Sequence, residues 1–516
     1  MAKSTKDQKT KAQIYREERK KRIAKQQKKQ SKITAASRKR KRIIKRIVLS
    51  VIAVILIAAI TAGIVFATGV PNRYLSAAKI GDHEITVAEY NFYYNTTVQN
   101  FLSQYGSYAS MFGFDSTKPY DKQDASAFGA KTYADYFRSQ TLQMLQTNVV
   151  LNDLAKEEGI TLTDEDQSVI NRYMESLKEI LNTNNVSITK MFGKGATEET
   201  VKEAFTKYTL AQRYGTYKRS TYTYTDADLE KQYTDNKDTY DVVSYMSYTF
   251  ASQAATDADD AAKKAAMEDA KKLADAMLAK VTDQKTFAEQ AKENAADDKK
   301  ENYEDEDATL NADRTKGAVS STKAAEWLFD SARKVGDKTV IENESDYTVL
   351  YLVEPSHRLD YKTINVRHIL IQPETTGDAE ATDEQKAAAK QKAEDLYNTF
   401  KAGDKTEDSF AQLARDNSMD DGSSSNGGLY ENVGKGDMVD TFNDWCFDST
   451  RKVGDTGIVE TDYGYHIMYF SGYGEIKWKD QTNSDLVDNA YNTFFNEKTA
   501  NYTISENKFG LFWAEK

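Results

Sequence analysis

Trp445–Asp455 reads WCFDSTRKVGD, and Trp327–Asp337 reads WLFDSARKVGD; the two differ only at Cys446/Leu328 and Thr450/Ala332. An echo this long marks an internal repeat, and the same order of patterns surrounds each copy. A β-rich run comes first (Val242–Phe250 and Ile364–Ile371). A long Ala/Lys/Glu helix follows (Ala261–Lys280 and Asp383–Phe400), then a short F-A-x-x-A element (Phe287–Ala291 and Phe410–Ala414). Each copy ends in a strand, Tyr347–Val353 or Tyr465–Phe470. The unit is therefore strand, helix, short helix, helix, strand, of about 110 residues, an α+β domain present twice. Asp297–Asp307 and Gly422–Asn426 read as exposed loops from their charge and Gly/Ser content.

Upstream of the repeat the pattern is helical. Ala77–Glu89 suggests two short strands around Gly81-Asp82, then a helix start at Thr86 with Glu89 in a capping-box position. Tyr133–Gly159 carries Phe137, Leu142, Leu145, Val149, Leu151 and Leu154 at helical spacing. Thr163-Asp164-Glu165-Asp166 opens another helix, and Glu198–Tyr217 and Asp226–Tyr233 continue the series. The region is rich in Tyr and Phe, which suits either a peptide-binding surface or ordinary core and rim. After the repeat, Asp480–Lys498 is again helical and too short to fold alone.

The N-terminal end is different in kind. Met1–Arg46 is dominated by Lys and Arg, and Ile47–Val70, IVLSVIAVILIAAITAGIVFATGV, carries no charge. Its 24 residues exceed the roughly 20 needed to span a bilayer as a helix. The basic run before it places the N-terminus in the cytoplasm and the bulk of the chain outside. A cleaved signal peptide is the rival, but its apolar region is usually about 7–15 residues. No Cys follows the segment to take a lipid, and the tail reads as an orientation signal that touches anionic lipid. The formal net charge of −10 hides the rest: Pro71–Lys516 is strongly acidic, a poor candidate for binding nucleic acid. One Cys excludes an intramolecular disulfide and any Cys-based zinc cluster.

Three of the four His fall in Ser356–Phe470, and two lie on strands of the second repeat: His368 in VRHILI and His466 in GYHIMY. Antiparallel strands lie about 5 Å apart, so two such His can meet across a sheet. Aligned at its ends, the first repeat has Ser247 opposite His368 and Thr348 opposite His466. If both His served only the fold, the first copy would need them too.

In combination, RHILI, F-A-x-L-A, Gly427-Gly428, Gly434–Val439, Phe442, Val453-Gly454-Asp455 and Gly464–Ile467 resemble a parvulin-type peptidyl-prolyl cis-trans isomerase domain over about Lys362–Gly472. The helical region and the anchor resemble, more loosely, the PrsA/SurA group of extracytoplasmic foldases. By that resemblance His368, His466 and Asp420 are the catalytic set. Met438, Phe442 and Tyr430 are the apolar walls that hold the substrate proline. The segment Leu429–Val433 departs from the Asp-Leu-Gly-aromatic pattern of many parvulins. Cys446 does not match the family's active-site Cys and reads as buried packing.

The resulting expectation is an α+β chain with a single transmembrane helix, a helical SurA-N-like domain and two parvulin-like domains, each an antiparallel sheet with surrounding helices. The parts are a basic cytoplasmic tail (1–46), the transmembrane helix (47–70), a helical chaperone-like domain (71–240), a degenerate parvulin-like domain (241–355), the isomerase domain (356–473) and a C-terminal helical segment (474–516) docking on the helical domain. The resemblance implies no metal and no cofactor. Its partners are unfolded or partly folded secreted polypeptides with X–Pro bonds and, through the anchor, membrane lipid, at a Gram-positive-like cell surface. The alternative is a non-catalytic chaperone or binding scaffold with a vestigial isomerase domain. A metal hydrolase lacks an HExxH motif, and a serine hydrolase lacks a GxSxG elbow.

Overall fold

The computed structural model describes residues 69–255, 259–375 and 380–514, together with 19–22, 25, 45, 49–58 and 60. The tail expected at 1–46 and the span expected at 47–70 thus lie partly outside the described residues. Residues 49–58 and 60 are helical, and their apolar side chains, from Leu49 to Ile60, stand exposed. Among the described residues no helix is long and apolar enough to cross a membrane. The chain divides into two compact units, 1–216 with 496–516, and 217–495.

In the first unit, strands β1 (Ser76–Ile80) and β2 (His83–Thr86) form a hairpin, and the C-terminal strand Ile504–Glu506 pairs antiparallel with β1. Helix α1 (Val87–Tyr105) starts at Thr86, whose Oγ1 accepts the Glu89 N–H at 3.2 Å. The reciprocal half of the expected capping box is not made, because the Glu89 carboxylate instead accepts from Lys207 Nζ at 2.9 Å. Helices α2 (Tyr133–Glu157), α3 (Asp164–Thr183) and α4 (Glu198–Ser220) follow, and at Thr163/Asp166 the capping box is complete. Tyr90, Tyr93, Leu145 and Val201 share one apolar core with Leu511 and Ala514 of the C-terminal helix Lys508–Ala514. A second cluster gathers Phe101, Phe114, Tyr133 and Phe137. Its rings meet mostly edge to face, Phe101 and Phe137 at 5.4 Å, the geometry aromatic quadrupoles favour.

The second unit holds two antiparallel sheets of like design. The first has β3 (Val242–Ala251), β4 (Leu310–Thr315), β5 (Lys338–Glu342) and β6 (Asp346–His357), ordered β4-β3-β6-β5. The second has β7 (Lys362–Ile371), β8 (Leu429–Val433), β9 (Thr456–Thr461) and β10 (Gly464–Ile476), ordered β8-β7-β10-β9. The expected unit is corrected here: each repeat has four strands, not two. The added edge strands are short and mostly polar, so their alternation is weak. Asp297–Tyr303 and Ser424–Asn426, read as loops, are 3-10 turns. The fold is thus α+β, with a helical region and two parvulin-like antiparallel sheets.

Each sheet is covered on both faces. In the second, Ile369, Ile371, Ile467 and Tyr469 face helices Asp383–Ala402 and Glu407–Asn417. Because side chains alternate along a strand, Ile364, Val366, Met468 and Phe470 point the other way, onto Phe442 and Cys446 of helix Asp440–Phe447. That second face also carries the two histidines.

Candidate active site

Register aligns the two sheets. In the second sheet His368 pairs with Met468 and His466 with Leu370. In the first, Ser247 pairs with Leu350 and Thr348 with Thr249. Ser247 and Thr348 therefore occupy the places of the two His.

His368 and His466 stack at 5.2 Å between ring centroids, with their Nδ1 atoms 3.0 Å apart. Both are buried. The His368 backbone N–H donates to Gly428 O at 2.8 Å, so the Gly427-Gly428 turn clamps the strand at this residue. His368 Nε2 lies 2.8 Å from Asp420 Oδ2 and 3.1 Å from Ser423 Oγ. The loop carrying Asp420 is tied to the same strand, with Met419 N–H donating to Leu370 O at 2.9 Å and Leu370 N–H to Ser418 Oγ at 3.1 Å. Asp420 Oδ2 also accepts from the Ser423 hydroxyl and from Tyr430 Oη, the latter at 3.0 Å. At the far end His466 Nε2 lies 2.8 Å from Thr461 Oγ1, which accepts the Tyr463 N–H at 3.1 Å.

A proton assignment with both imidazoles singly protonated satisfies every bond of the chain. His368 Nε2–H donates to Asp420, His466 Nδ1–H donates to His368 Nδ1, and the Thr461 hydroxyl donates to His466 Nε2. The His368 hydrogen bond, with help from Ser423 and against burial, holds the Asp420 carboxyl well below the usual carboxylate range. Burial pushes the His466 imidazole down to about 4, and positive charge on His368 acts in the same direction.

Phe442 sits edge-on to both imidazoles, 5.5 Å from His368 and 5.4 Å from His466. Met438 is half-buried against the same apolar cluster. Tyr430, expected as an apolar wall, lies 5.4 Å from the His368 ring and spends its hydroxyl on Asp420. The structure therefore gathers His368, His466, Asp420, Tyr430 and Phe442 into one cluster, with Met438 packed at its apolar side. A cleft of about 550 Å³ opens on the Thr461 side, lined by Val439, Asp440, Asp462, Tyr465 and Pro373 among others. Neither Met438 nor Phe442 lines it.

Sequence reasoning missed Ser423 and Thr461. Ser423 stands three residues after Asp420 in a D-D-G-S turn, a spacing that lets a hydroxyl reach back to a carboxylate. Thr461 ends the strand that pairs with β10, so hairpin pairing would have found it. Cys446 is buried in the apolar cluster away from the pair. In the first sheet the corresponding hydroxyls do not bond to each other: Asn311 Nδ2 donates to Ser247 Oγ at 3.0 Å, while the Thr348 hydroxyl meets that of Thr249 at 3.0 Å and lies 3.3 Å from Asp346 Oδ1. Among the described residues, Asp313, Glu354 and His357 bring possible metal-ligand atoms within 4.8 Å of one another on that first sheet.

Comparison with known proteins bears on this site. Residues 350–473 match the PPIC-type PPIase domain, and residues 33–172 match the SurA-like N-terminal domain. Over 112 residues the chain is 35% identical to foldase protein PrsA 1 of Listeria innocua, covering 21% of this chain and 31% of that protein. It is 34% identical over the same length, with the same coverage, to foldase protein PrsA 1 of Listeria monocytogenes. The match thus spans under a third of the length of these relatives. The crystal structure of PrsA from Bacillus subtilis is similar at 15% identity over 72% of this chain and 86% of that one, with a TM-score of 0.26, too low to bear on the fold. Residues 350–473 thus constitute a PPIC-type peptidyl-prolyl isomerase domain of the parvulin class, joined to a SurA-like N-terminal domain, the pairing of a PrsA/SurA-like foldase.

Proposed function

We propose that this chain catalyses cis–trans isomerisation of X–Pro bonds in unfolded or partly folded secreted polypeptides, outside the cytoplasm and tethered to the membrane by 47–70. The observation that carries the catalytic reading is the hydrogen-bonded chain from Asp420 through the buried His368 and His466 to Thr461, present in one sheet, where the other has Ser247 and Thr348 in place of the two His.

The reaction needs no nucleophile. Rotation about the prolyl amide crosses a barrier of roughly 18–20 kcal/mol because it breaks amide resonance. A site accelerates it by holding the twisted amide better than the planar one. A twisted amide carries less charge on oxygen, so a dry apolar surface favours it. Met438 and Tyr430, half-buried, and the exposed Val439 are the groups placed to grip the prolyl ring. Phe442 beneath them keeps water from the imidazoles. The Asp420–His368–His466 chain orients the polar floor on which the substrate carbonyl turns, and none of its members has to exchange a proton with substrate.

The module at 241–355 keeps the scaffold without the histidines and serves as a non-catalytic domain. The division into a tail (1–46), anchor (47–70), helical client-binding domain (71–240), two parvulin-like modules (241–355 and 356–473) and C-terminal segment (474–516) follows the same reading. The uncharged 24 residues at 47–70, preceded by a basic run, support an anchor with a cytoplasmic N-terminus. A prolyl isomerisation assay with the full chain tests the function. Acceleration over the spontaneous rate supports it, whereas suppression of client aggregation with no acceleration would favour a binding scaffold.

A further inference from the structure

The first unit contains a small, partly enclosed cavity of about 210 Å³ between β2, α1, α2 and α4. Ile85, Leu145 and Val149 form its apolar side. Its polar side carries Asn148, Glu84, Glu89, Asp153, His83 and Lys207.

Asn148 is 5% exposed, and its Oδ1 accepts no hydrogen bond. The amide orientation is set, because Nδ2 donates to Met144 O at 2.8 Å, so the free atom is the acceptor. A buried acceptor left without a donor costs about 1–3 kcal/mol, and native proteins rarely tolerate one without a reason. The neighbours do not supply a donor. Asn152 commits its Nδ2 to the backbone carbonyls of Asn148 and Lys207. Lys207 Nζ is held by Glu89 at 2.9 Å and Glu203 at 3.2 Å. His83 Nε2 faces Asp153 Oδ2 at 2.8 Å, and Tyr502 Oη donates to the same oxygen at 3.0 Å.

The cavity wall is thus rich in acceptors and short of donors, with three carboxylates, Glu84, Glu89 and Asp153, against one ammonium that is already paired. A single water occupies about 30 Å³, so the space exceeds what one solvent molecule fills. It is also smaller than the ~300–1,000 Å³ typical of sites for drug-sized ligands. We propose that this cavity binds an organic cation with N–H donors on a short aliphatic stem, its nitrogen donating to Asn148 Oδ1 between Glu89 and Asp153 and its stem lying on Ile85, Leu145 and Val149. The end of a lysine side chain and a free alkylamine share this chemistry.

The test uses the full chain and isothermal titration. The probes are n-butylammonium chloride, the neutral n-butanol, and the blocked peptides acetyl-Ala-Lys-Ala-amide and acetyl-Ala-Leu-Ala-amide. The expected result is saturable binding of n-butylammonium, no saturable binding of n-butanol, and at least tenfold weaker amine binding in Asn148→Leu. Asp153→Asn gives a second weakened variant should Asn148→Leu perturb folding. If the Lys peptide binds and the Leu peptide does not, the ligand is a polypeptide side chain. If only the free amine binds, it is a small molecule. Binding of amine and alcohol alike, amine binding unchanged in both variants, or no saturation by either amine or Lys peptide overturns the proposal and leaves a solvent-filled void.

Discussion

His368 and His466 present their Nδ1 atoms to each other at 3.0 Å, although neither is the other's register partner on β7 and β10. They are diagonal neighbours on one face, brought together by the stacking of their rings. Two nitrogens at that distance share one hydrogen, so the pair cannot hold a proton on both facing atoms. The arrangement ties the charge state of the site to its geometry.

A pH dependence follows. His466 has a usual value of 6.5 and is pushed down to about 4 by burial. Between those values the unfolded chain binds a proton that the folded chain refuses. Stability is therefore full above about 6.5 and falls as the pH drops toward about 4. The depressed Asp420 carboxyl acts in the same sense at more acid pH, where its unfolded form takes up a proton. Thermal melts of wild type and His466→Asn across pH 4–7 check this. The wild type should lose stability faster on acidification, and parallel curves would contradict the assignment.

Asp420→Asn should weaken the domain without changing its shape. Three donors, from His368, Ser423 and Tyr430, converge on Oδ2. An amide oxygen accepts them without charge assistance, and its NH2 brings further donors. The expected loss is about 1–3 kcal/mol, read as a lower urea midpoint at unchanged m value.

Gly428→Ala tests the clamp on His368. Gly428 has φ +74°, and a Cβ there would lie 2.1 Å from His368 O. Backbone strain alone costs about 1–3 kcal/mol, and the clash displaces the strand that carries the imidazole. Isomerase activity should fall together with stability. Gly436 has φ +77° with open space around its Cβ position, so Gly436→Ala should cost only about 1 kcal/mol and spare activity.

Cys446 should be chemically silent. It is 2% exposed, and burial pushes its thiol up to about 12. Since the thiolate is the reactive form, a disulfide reagent at pH 8 should leave the native chain unlabelled and label it in urea. Rapid native labelling would show that the helix Asp440–Phe447 opens readily.

What the sequence revealed was set by how strongly each element repeats. The duplicated Trp-to-Asp segment and the apolar central strands stood out, because two copies of a buried pattern reinforce each other. The edge strands did not: Leu310–Thr315 and Thr456–Thr461 are short and largely polar, and pairing with a neighbour, rather than their own alternation, makes them strands. Glu89 sat where a capping box wants it, yet Lys207, more than 100 residues away in sequence, drew its carboxylate off. The placement of His368 beside His466 could be reasoned from strand alternation. The partners that orient them, Ser423 and Thr461, depend on turn geometry that composition does not encode.

The most direct measurement is the kcat/KM for isomerisation of a proline-containing peptide by the full chain, by His466→Ala and by Thr348→Ala, its counterpart in the first sheet. Wild type should accelerate isomerisation, His466→Ala should lose about tenfold or more (~1.4 kcal/mol of transition-state stabilisation), and Thr348→Ala should match wild type. An unaccelerated wild type, or equal rates in wild type and His466→Ala, would contradict the account.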